Sequence, residues 1–169
     1  MLEDFGLVPA VVWYCDRFAA GSRVKVDFQH EGVDGRRFPR DLEVAAYRTI
    51  QESLTNVSRH SGVREARVVL WAGPDMLQVQ VTDAGRGFDP SRGLSRNGSC
   101  GLVGMQERVR LLQGTWTVTS KPGEGTSILA QFPITDPATD KPGAERSPGF
   151  STMDTQVLRR ADFQPPTPQ

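Results

Sequence analysis

The sequence is poor in cysteine, in net charge and in long apolar runs. Its 169 residues include two cysteines, Cys15 and Cys100. They have no metal-like spacing, and so few thiols fit a reducing compartment better than a structural disulfide. Lysine and arginine total 20, as do aspartate and glutamate, for a formal net charge of zero. That balance excludes a general electrostatic grip on nucleic acid or on an anionic membrane. Any phosphate the chain binds must be held locally. The longest apolar run, Gly6 to Cys15, contains Pro9 and is too short to span a bilayer. Acidic Glu3 and Asp4 stand where a signal peptide would be basic. The expectation is a cytoplasmic protein with no membrane segment of its own and no nucleic-acid partner. There are no internal repeats. Hydrophobic residues make up 37%, enough for one core if part of the chain stays outside it.

Composition divides the chain near Pro133. The stretch from there to Gln169 carries seven of the twelve prolines, scattered charges and few large apolar residues. It cannot bury enough surface to offset its ordering entropy, so residues 135–169 are expected to be a disordered tail. The remainder reads α-β-α-β-β-α-β-β. Val8, Val11, Cys15 and Phe18 fall at helical spacing after Pro9. Val24, Val26 and Phe28 alternate with polar residues, as in a half-buried strand. Asp41 is placed to cap a long helix reaching about His60, with Ala46, Ile50, Leu54 and Val57 as its buried stripe. Strands over 66–71 and 77–82 flank the turn Gly73-Pro74-Asp75. A loop rich in Gly, Ser and Asn follows from Asp83 to Cys100. A helix from about Leu102 to Gln113 stops at Gly114, and strands over 115–120 and 126–132 flank a glycine-rich turn. This order predicts an α/β (α+β) two-layer sandwich, a mixed sheet with helices packed on one face.

Three segments carry possible chemistry. Glu52, Asn56 and His60 recur every four residues along the long helix, on a stripe apart from Ile50 and Leu54. A carboxylate beside a carboxamide can coordinate a hard cation and orient a water, although a solvated polar face has the same pattern. Asp83 ends a strand and is followed by Gly85 and Gly87. An acid fixed there can accept a hydrogen bond from an exocyclic amine while the glycines let backbone pass close to a flat ring; an ordinary turn would also look like this. Gly101-Leu102-Val103-Gly104-Met105 opens a helix, where exposed N–H groups and the positive dipole end suit phosphate, and where glycine is common in any case. The preceding Ser91 to Cys100 has the composition of a lid over a ligand.

In this order and on these elements the three segments resemble the nucleotide-binding fold shared by gyrase, the heat-shock chaperone ATPases, the mismatch-repair ATPases and histidine kinases. Glu52-x-x-x-Asn56 matches the N box, Asp83-x-Gly85-x-Gly87 the first glycine box, Gly101-x-x-Gly104 the second, and Gly125-Thr126 the closing glycine-threonine. The resemblance covers roughly residues 1–134. Gln51 to His60, Gly101 to Arg108 and the opening Leu2 to Ala10 are similar to the nitrate-sensor and lipid-fluidity-sensor group of histidine kinases.

The resemblance implies ATP and Mg²⁺ as ligands, with residues 21–134 as the ATP-binding catalytic domain and residues 1–20 as a remnant of the linker from a dimerisation region. Asn56 would ligate the Mg²⁺. Glu52 would lie beside it as the catalytic carboxylate, a metal or water contact or a base. Arg59 and His60 would lie near the phosphates. Asp83 would hold the adenine amine, with Thr126 near a water on the same ring. Gly85 and Gly87 would shape the base pocket, and Gly101, Leu102, Gly104 and Met105 would receive the phosphates. The implied partners are the dimerisation and phosphoacceptor helices of a histidine kinase and a downstream response regulator. The resemblance also places the acceptor histidine on a helix upstream of Leu2, so neither His30 nor His60 is expected to take its place. Two other classes remain on the same fold: an anti-sigma-type serine/threonine kinase and a non-catalytic nucleotide-binding module.

Overall fold

The computed structural model describes residues 2–90 and 100–134, all within one compact unit, Met1–Thr135. A one-turn helix, α1 (Leu2–Phe5), and the longer α2 (Leu7–Ser22) lead into β1 (Lys25–Glu31). The long helix α3 (Arg40–Asn56) runs on into a π-helical turn, Val57–Ser61. Strands β2 (Glu65–Ala72) and β3 (Met76–Asp83), helix α4 (Cys100–Leu111) and strands β4 (Thr115–Ser120) and β5 (Thr126–Pro133) complete the order. The expected lid over 91–99 and the expected tail over 135–169 lie outside the described residues.

The five strands form one mixed sheet in the order β1-β2-β3-β5-β4. β1 and β2 are parallel and the other neighbours antiparallel. Burial alternates along β2, where Ala66, Val68, Leu70 and Ala72 face the core, and along β5, where Ile128, Ala130 and Phe132 do. Helix α2 packs by β1, α3 by β3 and β5, and α4 by β4 and β5. The expected stripe of α3 is the centre of the core: Ala46, Ile50 and Leu54 are fully buried and Val57 nearly so. Leu7, Val11 and Cys15 of α2 join the same cluster. A smaller cluster of Leu102, Met105 and Ile128 sits under α4, with Phe88, Trp116 and Val118 against it.

Three local expectations are corrected. Asp41 is not the cap of α3. Pro39 holds that place, with φ −48° and ψ 137°, and its carbonyl accepts the N–H groups of Leu42 and Glu43 at 2.9 and 3.0 Å. Asp41 instead lies in the first turn, where its charge complements the helix dipole. The helix is not α-helical to His60, because its last turn widens to a π-helix ended by left-handed Gly62, φ 76°. The left-handed residue after α4 is Gln113, φ 56°, and not Gly114. Gly114 answers to a different need: a Cβ there would stand 2.5 Å from the Gln131 carbonyl oxygen, so glycine lets the chain turn tightly against β5.

Candidate functional site

A cavity of about 550 Å³ is lined from four directions. α3 and its π turn contribute Glu52, Asn56, Arg59 and His60, and β3 with its following loop contributes Asp83 and Gly87. α4 supplies Gly101 and Leu102, and β5 supplies Thr126. Nine of the residues singled out in the sequence thus surround one space. Among the described residues Ser53, Val57, Ser61, Val81, Arg86, Phe88 and Ile128 make up the rest of the lining; some of them fall inside the motif segments, but at positions whose side chain the motifs leave open. Three singled-out residues do not line it. Gly85 is buried behind the wall. Met105 is sealed in the small cluster beneath, with Ser53 Oγ 3.6 Å from its sulfur. Gly104 has nothing within 4 Å of where a Cβ would be.

The glycines around Asp83 are explained by close backbone approaches. Loop 84–88 is clamped on two sides. Arg86 N–H donates to the Ser61 carbonyl at 2.8 Å, and Gly123 N–H donates to the Arg86 carbonyl at 2.6 Å. A Cβ on Gly85 would stand 2.5 Å from the Ser61 oxygen, and one on Gly87, φ 57°, would stand 2.0 Å from the Lys121 oxygen. Gly125, φ 75°, lies against the end of β3, where a Cβ would come within 2.1 Å of the Asp83 carbonyl oxygen. Ser120 Oγ ties the three pieces together: it accepts the Phe88 N–H, donates to the Gly125 carbonyl and lies 3.1 Å from Thr126 Oγ1.

Asp83 is held by this frame at the last pair of β3 and β5, opposite Thr126. One carboxylate oxygen accepts the Gly85 N–H at 2.8 Å. The other accepts no hydrogen bond among the described residues. Burial pushes the carboxyl pKa above its usual value, with the Gly85 N–H pulling the other way. Such a carboxylate has an unfilled acceptor and is incompletely solvated, so an amine donor would stabilise it.

Glu52 and Asn56 lie one turn apart on α3, and neither side chain makes a hydrogen bond or ion pair among the described residues. Glu52 reaches toward Gly101, with Oε1 2.1 Å from where a Cβ would stand, so a side chain at position 101 would have to displace the Glu52 carboxylate. Among the described residues no group of three or more His, Cys, Asp and Glu could hold a metal by itself. The donor set still fits Mg²⁺, which takes one or two protein oxygens and completes its shell with water and phosphate. The π turn brings Arg59 and His60 to the same cavity, adding positive and hydrogen-bonding groups. π turns of this kind are frequent at functional sites. His30 is elsewhere, on edge strand β1, stacked on Phe28 and 3.4 Å from Asp34. No helix among the described residues is long and apolar enough to cross a membrane.

Comparisons with known proteins bear on the family and the fold. The family described as histidine kinase-, DNA gyrase B-, and HSP90-like ATPase matches residues 41–136. The signal transduction histidine-protein kinase/phosphatase DegS of Brevibacillus brevis is 38% identical over 134 residues, covering 79% of this chain and 34% of that protein. DegS of Bacillus subtilis (strain 168) is 37% identical over 136 residues, covering 79% of this chain and 35% of that protein. The chain therefore spans about a third of the length of these relatives. Among solved structures, the histidine kinase domain of the Erythrobacter litoralis EL346 blue-light activated histidine kinase is similar with a TM-score of 0.58 at 23% identity, over 73% of this chain and 59% of that one. At that identity the likeness concerns the fold.

Proposed function

This chain belongs to the histidine kinase-, DNA gyrase B-, and HSP90-like ATPase family, and we propose that it holds Mg-ATP and passes the γ-phosphoryl group to a histidine outside residues 1–169. Its relatives make it the ATP-binding domain of a histidine kinase. The observation that supports phosphoryl donation is the convergence of Asp83, of Glu52 with Asn56, and of the α4 N-terminus on one cavity.

In this reading Asp83 accepts the adenine amine with its unfilled oxygen, and Thr126 stands opposite on β5. Phe88, Val81 and Ile128 give the ring an apolar wall. The N–H groups at Gly101 and Leu102 meet the phosphates at the positive end of α4. Asn56 and Glu52 hold Mg²⁺, which when bound supplies charge neutralisation on the phosphates. Arg59 and His60 add donors on the same side. In transfer, a lone pair of the acceptor imidazole forms the P–N bond, while the bond from the γ-phosphorus to the bridging oxygen breaks and ADP leaves with that electron pair. The chain's contribution is positioning and electrostatics, which supply most of the catalysis in phosphoryl transfer. ATP and the free, buried Cys15 both fit the cytoplasm. A response regulator would be the next acceptor.

Incubation with γ-labelled ATP and a separate acceptor helix tests the reading. Acid-labile label on the acceptor histidine is expected. Acid-stable label would make the domain a serine/threonine kinase, and no label on any acceptor would make it a binding module.

A further inference from the structure

Beside the nucleotide cavity lies a second one, of about 370 Å³, bounded by Tyr14 of α2, by Arg48, Gln51, Glu52 and Thr55 of α3, and by Arg108 of α4. The two cavities share one residue, Glu52. Helix geometry explains the grouping. Arg48, Gln51, Glu52 and Thr55 recur at spacings of three and four residues and so form one face of α3. Gly101 and Arg108 are two turns apart on one face of α4. Where Gly101 stands the helices touch, since Glu52 fills its missing Cβ position. Where Arg48 and Arg108 stand, the cleft is open.

Its hydrogen-bond inventory is unbalanced. The Tyr14 hydroxyl and Thr55 Oγ1 both donate to the Gln51 carbonyl, at 3.4 and 2.8 Å. Gln51 Oε1 accepts from Arg48 Nη1 at 3.1 Å. The Gln51 acceptors are therefore engaged by the protein, and among the described residues Glu52 is the one carboxylate in the wall. Among the described residues, the Gln51 amide N–H groups, the rest of the Arg48 guanidinium and all of Arg108 have no partner. Arg108 is half-buried and has no hydrogen bond or acidic partner among the described residues. Two guanidinium groups against one carboxylate leave a net positive cleft. A guanidinium partly withdrawn from water without a counter-charge favours an incoming anion, and its fork of donors matches a planar or tetrahedral oxyanion.

We propose that the cleft between α2, α3 and α4 is a second oxyanion site, which takes a carboxylate or phosphate group against Arg108 and Arg48. That group is either a free anion or an acidic side chain of the protein that receives the phosphoryl group. The second source rests on the donor function proposed above. The position suits it, because the site lies across Glu52 from the nucleotide cavity.

The test uses the whole chain saturated with a non-hydrolysable ATP analogue, so that the first cavity is filled. Inorganic phosphate is added, against chloride at equal ionic strength, while the arginine Nε–H resonances are followed by NMR. A saturable shift of Arg108 is expected, and Arg48→Gln should raise the midpoint about tenfold. No saturable shift of Arg108 would overturn the site, as would an Arg48→Gln midpoint equal to that of the unmodified chain. Arg108→Gln should keep its melting temperature and its affinity for the analogue. If it loses nucleotide affinity, the cleft belongs to the nucleotide and the proposal falls. If it does not fold, Arg108→Lys serves instead, with a weakened phosphate midpoint expected and an unchanged one counting against the site. A second arm measures transfer from ATP to an acceptor helix. A KM for acceptor raised about tenfold in Arg108→Gln identifies the ligand as the partner's acidic side chain, and an unchanged KM identifies a free anion. A phosphate shift without transfer by the unmodified chain would leave the site standing and remove the donor function.

Discussion

Replacing Gly125 with alanine should damage both the fold and the nucleotide site, while the same change at Gly123 should damage neither site nor sheet. Both glycines have left-handed backbones, with φ 75° and 81°. An L-residue in that region costs about 1–2 kcal/mol, and both variants carry that cost. They differ in what the new methyl meets. At Gly123 there is nothing within 4 Å. At Gly125 the Cβ would lie 2.1 Å from the Asp83 carbonyl oxygen and 2.9 Å from Ala84 Cα, and real Cβ atoms essentially never come closer than 3.0 Å to a neighbour. The end of β3 would have to withdraw by about 0.9 Å. Both neighbours are backbone, so no side chain can swing aside. The pair Asp83–Thr126 closes the β3–β5 ladder, and Ser120 holds the Gly125 carbonyl. Loss of that pair with its side-chain bond should add roughly 1–3 kcal/mol for groups left unsatisfied. Chemical denaturation should give about 1 kcal/mol for Gly123→Ala and about 3 kcal/mol or more for Gly125→Ala. Calorimetry should show ATP affinity unchanged in the first and down about tenfold or more in the second. Equal losses of stability in the two variants, or an unchanged ATP affinity in Gly125→Ala, would refute the claim that this contact positions Asp83.

Asp83→Asn should leave the ligand-free domain at least as stable at neutral pH. Burial raises the folded pKa of Asp83, so the folded state holds the proton to higher pH than the unfolded one, and stability contributed by this group falls as pH rises from the usual 3.8 through the raised value. Melting temperatures across that window should drop in the unmodified chain relative to the variant, and a variant less stable at neutral pH would contradict the stated cause. Asn56→Ala should lower ATP affinity about tenfold with Mg²⁺ present and hardly at all in a chelator, as calorimetry under the two conditions would show; equal losses would make Asn56 a structural residue. Ser120→Ala strips the Phe88 N–H and the Gly125 carbonyl of a partner in a buried place, and should cost about 1–3 kcal/mol in denaturation, with Ser120→Thr tested beside it.

Periodicity made the core readable, because Ala46, Ile50, Leu54 and Val57 are buried for the reason their spacing implies. The mixed sheet followed from strand order, and Gly85, Gly87 and Gly125 marked where backbones touch, whereas Gly101 meets only the Glu52 side chain and Gly104 nothing. The π turn was not readable. Within it Ser61 Oγ donates to the Val57 carbonyl at 2.6 Å and Gly62 ends it in the left-handed region, contacts that spacing alone does not announce. Without it, His60 was expected to continue an α-helical stripe, and Ser61 and Arg86 had no reason to enter the site. Met105 shows the opposite case. Its motif position says nothing about which way its side chain turns, and burial against Leu102 and Ile128 decides that. The engagement of Ser120 was also hidden, since a serine ending a strand makes three contacts only after β5 and the 84–88 loop are in place.

In the proposed reading the cavity recognises adenine through Asp83. Affinities of the unmodified chain and of Asp83→Asn for ATP and for inosine triphosphate, which carries a carbonyl in place of the exocyclic amine, test it most directly. The unmodified chain should prefer ATP by at least about tenfold, because the inosine carbonyl would face a carboxylate with no donor between them. In Asp83→Asn, whose amide can turn either end to the base, that preference should collapse to within about twofold. An ATP preference of the same size in both proteins would mean that Asp83 does not touch the base, and the assignment of the cavity would fail.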